Sequence, residues 1–580
     1  MTDVNDLFKK PALPASNIRK RKAEPSLDPV AAFKAAKLDA DGSGKLRATA
    51  EEDGEGGPQT ETVEFNDDDE DGRFYGGGVS KQESEILDYI DKQDQEGEVK
   101  VEVIDSAWLR RTSLEFEKKI NKNAEMRGKY EDEPHKFMDS EADLDTAIRS
   151  LSILSEHPEL FPEFAKLGTL GSLVGLLAHE NTDIAIEVVE VLSELTDDEV
   201  DVEPEQWNAL VKGMTDAQLF EMMTSNLERL NESNESDKNG VYHTLSVFEN
   251  LASQQSTAEA IVKQTNILTW LIQRIQVRES PITQNKQYSA ELLAILLQAS
   301  PLNRKAFIKL EGMDSTLQLL SPYRKRDPVK GGDEEELVEN LFDALTCTVD
   351  EPEGKEKFVE NEGVELMLIM LREGKMAKVR ALRVLDHAVS GGQQSVLVCE
   401  RIVEAAGLKT IFGNFMKKQE PQAIEHLLGI FAAMLRSLPA DTPERIRTLA
   451  KFVEKDYEKI KKLITLRREY LARLQQVDRM INKQKAALSE EEQSERAEEW
   501  FSRRLDAGLF CLQMTDVILA WLCAEDDGAR NKIKDVLAEK KETLEALKAT
   551  LNEQLELMDD LDNADQQVQK DMLLTLVQFL

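Results

Sequence analysis

Six histidines, four cysteines and a large stock of carboxylates are the residues of this 580-residue chain whose types could do chemistry. The histidines (His135, His157, His179, His243, His387 and His426) form no H-E-x-x-H pattern and no other metal-ligand spacing. Asp386 and His387 are neighbours and of the types used in acid–base work. On a helix, however, adjacent side chains point about 100° apart, so the two read as surface or groove polar residues. Cys347, Cys399, Cys511 and Cys523 include no C-x-x-C pair, which suggests neither a disulfide framework nor a zinc site and fits a reducing compartment. There is no G-x-x-x-x-G-K-[ST] loop, no G-x-S-x-G elbow and no G-x-G-x-x-G after a strand. Paired carboxylates mean nothing in a chain with 111 acidic side chains. The expectation is a protein that is not an enzyme and has no cofactor and no metal.

Charge says more. The chain carries a formal net charge of −38, with 73 Lys and Arg, and its pI is near 4.7. That argues against a direct nucleic-acid surface, which needs a basic footprint, and favours basic partners. Against this background NIRKRKAEP places Arg19, Lys20, Arg21 and Lys22 in a row, with Lys9 and Lys10 upstream and prolines at 11, 14 and 25. A short exposed basic cluster of this kind is what a nuclear-import receptor grips. Lys9 and Lys10 would form a second patch, with a short spacer. The alternative is a solvating tract, or a tail docked on an acidic groove of the same chain. Residues 48–80 then hold eleven acids, DDDED at 67–71 among them, against Arg73 alone. With few large apolar residues, the segment 1–80 is expected to be a disordered tail. No apolar run resembles a signal peptide or a membrane span, so a chain that is neither secreted nor membrane-bound is expected.

From about residue 81 the periodicity is helical. ESEILDYIDKQ and SAWLRRTSLEFEKKINKNAEMRGKY place apolar residues three and four apart, and PHKFMDSEADLDTAI follows, with Asp139 or Ser140 placed to cap a helix. Then the chain repeats. GTLGSLVGLL opens at Gly168, GMDSTLQLL at Gly312, GVELMLIML at Gly363 and GLKTIFGNF at Gly407. Related lead-ins (FAKL, FIKLE, FVENE, IVEAA) precede them, and weaker copies start near Asp216 and Asn266. Successive starts lie 44 to 51 residues apart, and each is followed by a second apolar helix such as DIAIEVVEVLSEL or VRALRVLDHAV. A period in the forties with two or three helices per unit is the armadillo/HEAT pattern. No unit can bury its apolar face alone, so the units must stack.

The predicted fold is therefore all-α: a right-handed superhelical armadillo/HEAT-type solenoid over 151–440, with a helical N-terminal cap over 81–150 and a helical C-terminal domain over 441–580. In that last domain KFVEKDYEKIKKLITLRREYLARLQQVDRMINKQK reads as one long charged helix. WFSRRLDAGLFCLQMTDVILAWLC reads as a buried one, and KIKDVLAEKKETLEALKATLNEQLELM as a long amphipathic one. Capping of the solenoid is the preferred role of this domain. A coiled-coil arm and a homodimer are the alternative, against which the heptads are irregular.

In a stacked solenoid the second long helix of each unit lines the concave face. Those helices carry Glu187, Glu190, Glu194, Glu249, Glu291, Glu339, Asp343 and Asp386, at least one carboxylate per unit over five units. This is the candidate partner-binding groove, suited to an extended Lys/Arg-rich peptide. The alternative is a set of solvated helix faces.

As a set, PHKFMDSEADLDTAI, LLAHENTDIAIEVVEVLSELTD, SAELLAILLQ, VENLFDAL, LRVLDHAVSG and RRLDAGLFCLQ resemble the beta-catenin-like protein 1 family of nuclear armadillo proteins, from about residue 105 to 520. The resemblance implies a nuclear scaffold in pre-mRNA splicing, within the nineteen complex of the spliceosome. It implies binding of basic, nuclear-localisation-like segments of partners that include the Cdc5-like protein. It also carries an import-signal role onto Arg19–Lys22. A nuclear-import adaptor like importin alpha is the runner-up. It is disfavoured because Trp108, Trp207, Trp270, Trp500 and Trp521 fall outside the groove helices, where that family places W-x-x-x-N pairs.

Overall fold

The computed structural model describes residues 103–558 and 564–580, and among them every regular element is helical. The basic cluster Arg19–Lys22, Lys9, Lys10, the acidic run and ESEILDYIDKQ lie outside the described residues. Two compact units are defined: an N-terminal unit comprising residues 103–271 with Gln284–Ala299, and a C-terminal unit comprising Ile272–Thr283 with Ser300–Leu580. Among the described residues no single helix is long and apolar enough to cross a membrane.

The N-terminal unit opens with α1 (Ser106–Lys129) and α2 (Met138–Ser150). The carboxylate of Asp105 caps α1 by accepting from the N–H groups of Ala107 and Trp108, and Trp108, Leu109, Phe116 and Ile120 form the buried stripe. The cap expected at Asp139 or Ser140 is not formed. Helix α2 starts after Phe137, both residues sit in its first turn, and the Ser140 hydroxyl donates back to the Phe137 carbonyl at 2.7 Å.

The repeats prove to be three-helix units, because each lead-in is itself a helix. They run α3 (Phe161–Lys166), α4 (Thr169–Gly175) and α5 (Thr182–Leu195); α6 (Pro204–Asp216), α7 (Leu219–Leu227) and α8 (Glu235–Leu251); α9 (Gln255–Gln264), α10 (Ile267–Gln276) and α11 (Gln284–Ala299); α12 (Pro301–Lys309), α13 (Gly312–Leu320) and α14 (Asp333–Thr348); α15 (Pro352–Glu360), α16 (Gly363–Glu373) and α17 (Ala377–Val389); and α18 (Ser395–Glu404), α19 (Gly407–Met416) and α20 (Pro421–Ser437). Within the N-terminal unit α2, α5, α8 and α11 pack in succession, and within the C-terminal unit α14, α17 and α20 do so.

The repeated glycines do two different jobs. Gly168 itself takes the left-handed turn between α3 and α4, at φ +80°. In the later repeats the left-handed residue is the one before the glycine: Glu311, Glu362 and Ala406, at φ 56–57°. The glycine there is required by packing. A Cβ on Gly312 would lie 2.1 Å from the Phe307 ring, and one on Gly363 would lie 2.3 Å from the Phe358 ring. One on Gly407 would lie 2.8 Å from the Ile402 carbonyl. The lead-in residue five positions earlier thus folds back over the helix start, and the sequence pattern F-x-x-x-x-G records that contact.

Cations close several helix ends, where carbonyls lack intrahelical partners. Arg229 donates to the carbonyls of Leu177 and His179 (3.2 and 2.6 Å), and buried Lys355 donates to those of Val349, His387 and Ala388 (2.8, 2.9 and 3.1 Å). Arg445 reaches the carbonyls of Met434, Leu435 and Leu438.

Beyond α20 come α21 (Pro443–Lys485), α22 (Glu490–Glu495), α23 (Ala497–Asp506), α24 (Leu509–Glu525), α25 (Asp527–Ala538), α26 (Leu544–Glu556) and α27 (Ala564–Phe579). Three elements expected to be continuous are broken. Helix α21 is interrupted at Glu454–Tyr457, where Lys455, Asp456 and Tyr457 are left-handed. Lys459 bridges Glu454 and Glu458 at 2.8 and 2.9 Å beside the break. Gly508, at φ +100° against the Tyr470 ring, separates α23 from α24, and Lys541 at φ +60° lies between α25 and α26. Helix α24 packs on α20, α21, α26 and α27. It is the core of this region, with Val517 and Ala520 against Leu551, Leu555, Leu573 and Leu576.

Candidate functional site

The eight carboxylates of the expected groove divide between the two units, and their surroundings differ. In the N-terminal unit α5 carries Glu187, Glu190 and Glu194, spaced three and four apart along one face, with Asp145 and Arg149 of α2 beside them. Arg149 donates to both oxygens of Glu187, at 2.8 and 3.0 Å, and to Asp145 at 2.9 Å. That single guanidinium serves Glu187 and Asp145 and is felt by Glu190, while Glu194 has the Glu187 and Asp197 charges and the Ser152 hydroxyl near it. Burial, reinforced by the nearby Glu187 charge, pushes the carboxyls of Glu190 and Glu194 up to about 7 and also raises Asp145. Glu194 is half-buried beside the Ser152 hydroxyl, which offsets only part of that rise. His243 of α8 has its Nε2 3.8 Å from Glu190, but burial pushes its imidazole down to about 4, so it supplies no positive charge at neutral pH.

Aromatic rings continue this face. Tyr242 lies edge-on to His243, with centroids 5.5 Å apart, and 5.2 Å from Tyr288 of α11. The Tyr288 hydroxyl donates to Glu249 at 2.5 Å, and Glu291 accepts from Gln287 at 3.0 Å. Helix α8 is joined to α5 by Ser193 to Ser246 at 3.1 Å and by Asn250 to Thr196 at 3.4 Å.

In the C-terminal unit the expected groove residues are matched from the next third helix. Glu339 of α14 accepts from Arg380 of α17, and Asp343 accepts from Arg383. Asp386 does not lie in a surface groove. It is 3% exposed, its Oδ2 is 3.0 Å from Nδ1 of His426 on α20, and Gly429 presses so close that a Cβ there would sit 2.2 Å from Asp386 Oδ1. His387 is also buried and turns to Asp350 at 3.2 Å, so the adjacent pair in LDHA serves two separate contacts inside the fold. Surface or groove placement is the expectation for both, but the apolar faces of α17 are covered on two sides, which leaves neither in solvent.

Reading the sequence for carboxylates alone missed Arg149, Tyr242, Tyr288, Arg380, Arg383 and His426. The partners stand 38 to 41 residues apart in sequence: Arg149–Glu187, Glu249–Tyr288, Glu339–Arg380, Asp343–Arg383 and Asp386–His426. That is one third helix to the next, so a scan for opposite charges at that separation would have found the ion pairs.

A second concavity, of about 690 Å³, lies between α21 and α23 and is lined by Asp478, Lys485, Trp500, Phe501, Arg504 and Glu553 among others. Its charges are spent internally: Arg504 binds Asp478 and Glu553 at 3.0 and 2.7 Å, and Lys485 stands 5.1 Å over the Trp500 ring. Among the described residues no group of three or more His, Cys, Asp or Glu is placed to hold a metal ion.

Among the described residues, stacked three-helix repeats that present an acidic and aromatic strip define an armadillo-type scaffold. The chain belongs to the catenin-beta-like, Arm-motif-containing nuclear family, whose model matches residues 84–552. It is 41% identical over 473 residues to the beta-catenin-like protein 1 homolog of Schizosaccharomyces pombe, covering 81% of this chain and 82% of that one. It is 36% identical over 471 residues to the beta-catenin-like protein 1 of Homo sapiens and to that of Mus musculus, covering 79% of this chain and 83% of each. The resemblance read from the strings between about 105 and 520 is thereby shown.

Proposed function

We propose that this nuclear armadillo-type protein is a non-enzymatic scaffold of the spliceosome that docks Lys/Arg-rich segments of splicing partners on the acidic strip of α2, α5 and α8. The observation that carries the reading is the charge imbalance there, with Asp145, Glu187 and Glu190 sharing Arg149 and Glu194 one turn further along α5 beside the Glu187 charge. An arriving lysine or arginine supplies the missing cation. It converts Glu190 and Glu194 from carboxyls held near neutrality into fully ionised partners in charge-assisted hydrogen bonds. The Tyr242 ring, edge-on to His243 and 5.2 Å from Tyr288, adds an aromatic border to the same strip. Partners of the Cdc5-like and nineteen-complex kind, and an import receptor for Arg19–Lys22, are what the family resemblance adds to this chemistry.

The test is a titration of the full chain with a nuclear-localisation-like basic peptide at low and high ionic strength, for the parent and for the Glu190→Gln/Glu194→Gln variant. Binding that weakens steeply with salt, and weakens again in the variant, supports the reading. Affinity that is indifferent to both refutes it. Affinity purification from nuclear extract with RNase then separates the partners. Splicing subunits support the scaffold role, whereas importin beta with mixed nuclear cargo supports the import adaptor.

A further inference from the structure

The chain contains four Ser-Pro or Thr-Pro pairs: Ser280–Pro281, Ser300–Pro301, Ser321–Pro322 and Thr442–Pro443. Three residues after the acceptor stand Thr283, Asn303, Arg324 and Arg445 respectively, so only two of the four carry a basic residue there. Arg445 is 2% exposed and committed to Glu525 and to the carbonyls that end α20, which leaves it unavailable to any other protein. Arg324 is exposed, as are Pro322, Lys325 and Arg326 around it. We propose that Ser321, in the stretch SPYRKR, is a phosphoacceptor for a proline-directed serine/threonine kinase that also reads basic residues.

Local geometry supports this assignment. Ser321 ends α13 and begins a single 3-10 turn, Ser321–Arg324, with φ −52° and ψ −37°. A following proline disfavours that helical conformation and favours an extended one, and Pro322 has no N–H with which to hold the turn. Extended backbone is what a kinase cleft accepts. The turn is retained by Arg324, whose guanidinium donates to the Ser321 hydroxyl at 2.7 Å and to its carbonyl at 3.3 Å. It is also retained by Tyr323, whose ring is buried and whose hydroxyl donates to Glu334 at 2.9 Å. The segment must therefore unwind by one turn for modification, releasing Tyr323. The rest of α13 stays packed.

In the transfer, Ser321 Oγ forms a bond to the γ-phosphorus of ATP, the bond from that phosphorus to the bridging oxygen breaks and ADP leaves. The hydroxyl proton passes to the kinase's catalytic carboxylate. The product phosphate lies at the C-terminal end of α13, where the helix dipole opposes it. Arg324 is already within hydrogen-bond reach, however, and Lys325, now 3.9 Å from Glu373, stands next to it. Arg326 is already held by Glu334 at 2.8 Å, so the modification takes up the remaining charge of Arg324 and Lys325 and leaves the strip internally paired.

The experiment is incubation of the purified full chain with a cyclin-dependent-class kinase and labelled ATP, followed by mapping of the modified residue by mass spectrometry. Ser321 is expected to carry the label, Ser321→Ala to abolish it, and Arg324→Ala/Arg326→Ala to slow it on the order of tenfold, the size of one lost charge-assisted contact. The melting temperature of Ser321→Ala should match the parent's, whereas the arginine variant also gives up the 2.8 Å contact of Arg326 with Glu334 and is read by its labelling rate relative to a peptide spanning 317–328 carrying the same change. Label on Thr442, Ser280 or the segment 1–102 in place of Ser321 would overturn the proposal. So would labelling of a peptide spanning 317–328 while the folded chain stays unmodified.

Discussion

In the N-terminal unit, α5 sets three glutamates along one face and α2 answers with a single arginine. In the C-terminal unit, α14 sets out Glu339 and Asp343 and α17 answers each with its own arginine, while Asp386 is withdrawn against His426. The two regions have similar numbers of acids per repeat and very different fields. Acid content therefore does not identify a cation-binding face in such a protein. What matters is whether the neighbouring third helix, about forty residues on, brings a positive group into reach.

The comparison can be broken most severely inside the C-terminal unit. Replacing His426 with Leu strands the buried Asp386 carboxylate and should cost about 3 kcal/mol, the scale for removing one partner of a buried pair. A lowered thermal midpoint with unchanged basic-peptide affinity is the expected result. A loss of affinity would show that the C-terminal unit takes part in binding.

The next effect concerns binding. Glu190→Gln/Glu194→Gln should weaken a basic peptide on the order of tenfold or more, since charge-assisted hydrogen bonds contribute roughly 1.5–3 kcal/mol each. Equal affinity measured by calorimetry would remove α5 from the site.

The same two residues predict a pH dependence. Their carboxyls sit near 7 in the folded chain against an ordinary 4.5. Between those values the folded chain holds protons that the unfolded chain has lost, so this contribution to stability falls as pH rises through that window and is level above it. The Gln variant should lose that slope in melting experiments. For the parent, binding a cation at pH 7 should expel protons, so the heat of binding should vary with the ionisation enthalpy of the buffer, and affinity should fall from pH 8 to pH 6. Buffer-independent heats would place the peptide elsewhere.

The smallest effect sharpens the contrast from the other side. Arg380→Gln/Arg383→Gln frees Glu339 and Asp343, and should raise affinity for a basic peptide a few-fold, since partly exposed pairs contribute little each. No gain would mean that the C-terminal face is closed by shape as well as by charge.

Much of this molecule was legible before folding was considered. The repeat period, the lead-ins and the apolar third helices follow from spacing, because a helix face is a local property of three- and four-residue intervals. The breaks in the C-terminal region were not legible. Glu454–Tyr457 carries no glycine or proline, and nothing in KFVEKDYEKIKK marks a left-handed turn. Tyr457 there packs against Gly528, 71 residues away, a contact no local pattern announces. The glycines of the later repeats were legible as markers but not in their purpose. The pattern shows that Gly312 and Gly363 recur, and only packing shows that phenylalanine rings, at Phe307 and Phe358, occupy the space a side chain would need.

The candidate strip divides in the same way. Readable in the sequence are the repeat period, the apolar face of each long helix, the resemblance to the beta-catenin-like proteins and the strong acidity of the whole chain. Tertiary structure alone decided which carboxylates are left without a cation of this chain beside them. That depends on the desolvation of Glu190 and Glu194 and on whether an arginine or a histidine one repeat on reaches across, and both are distances between elements.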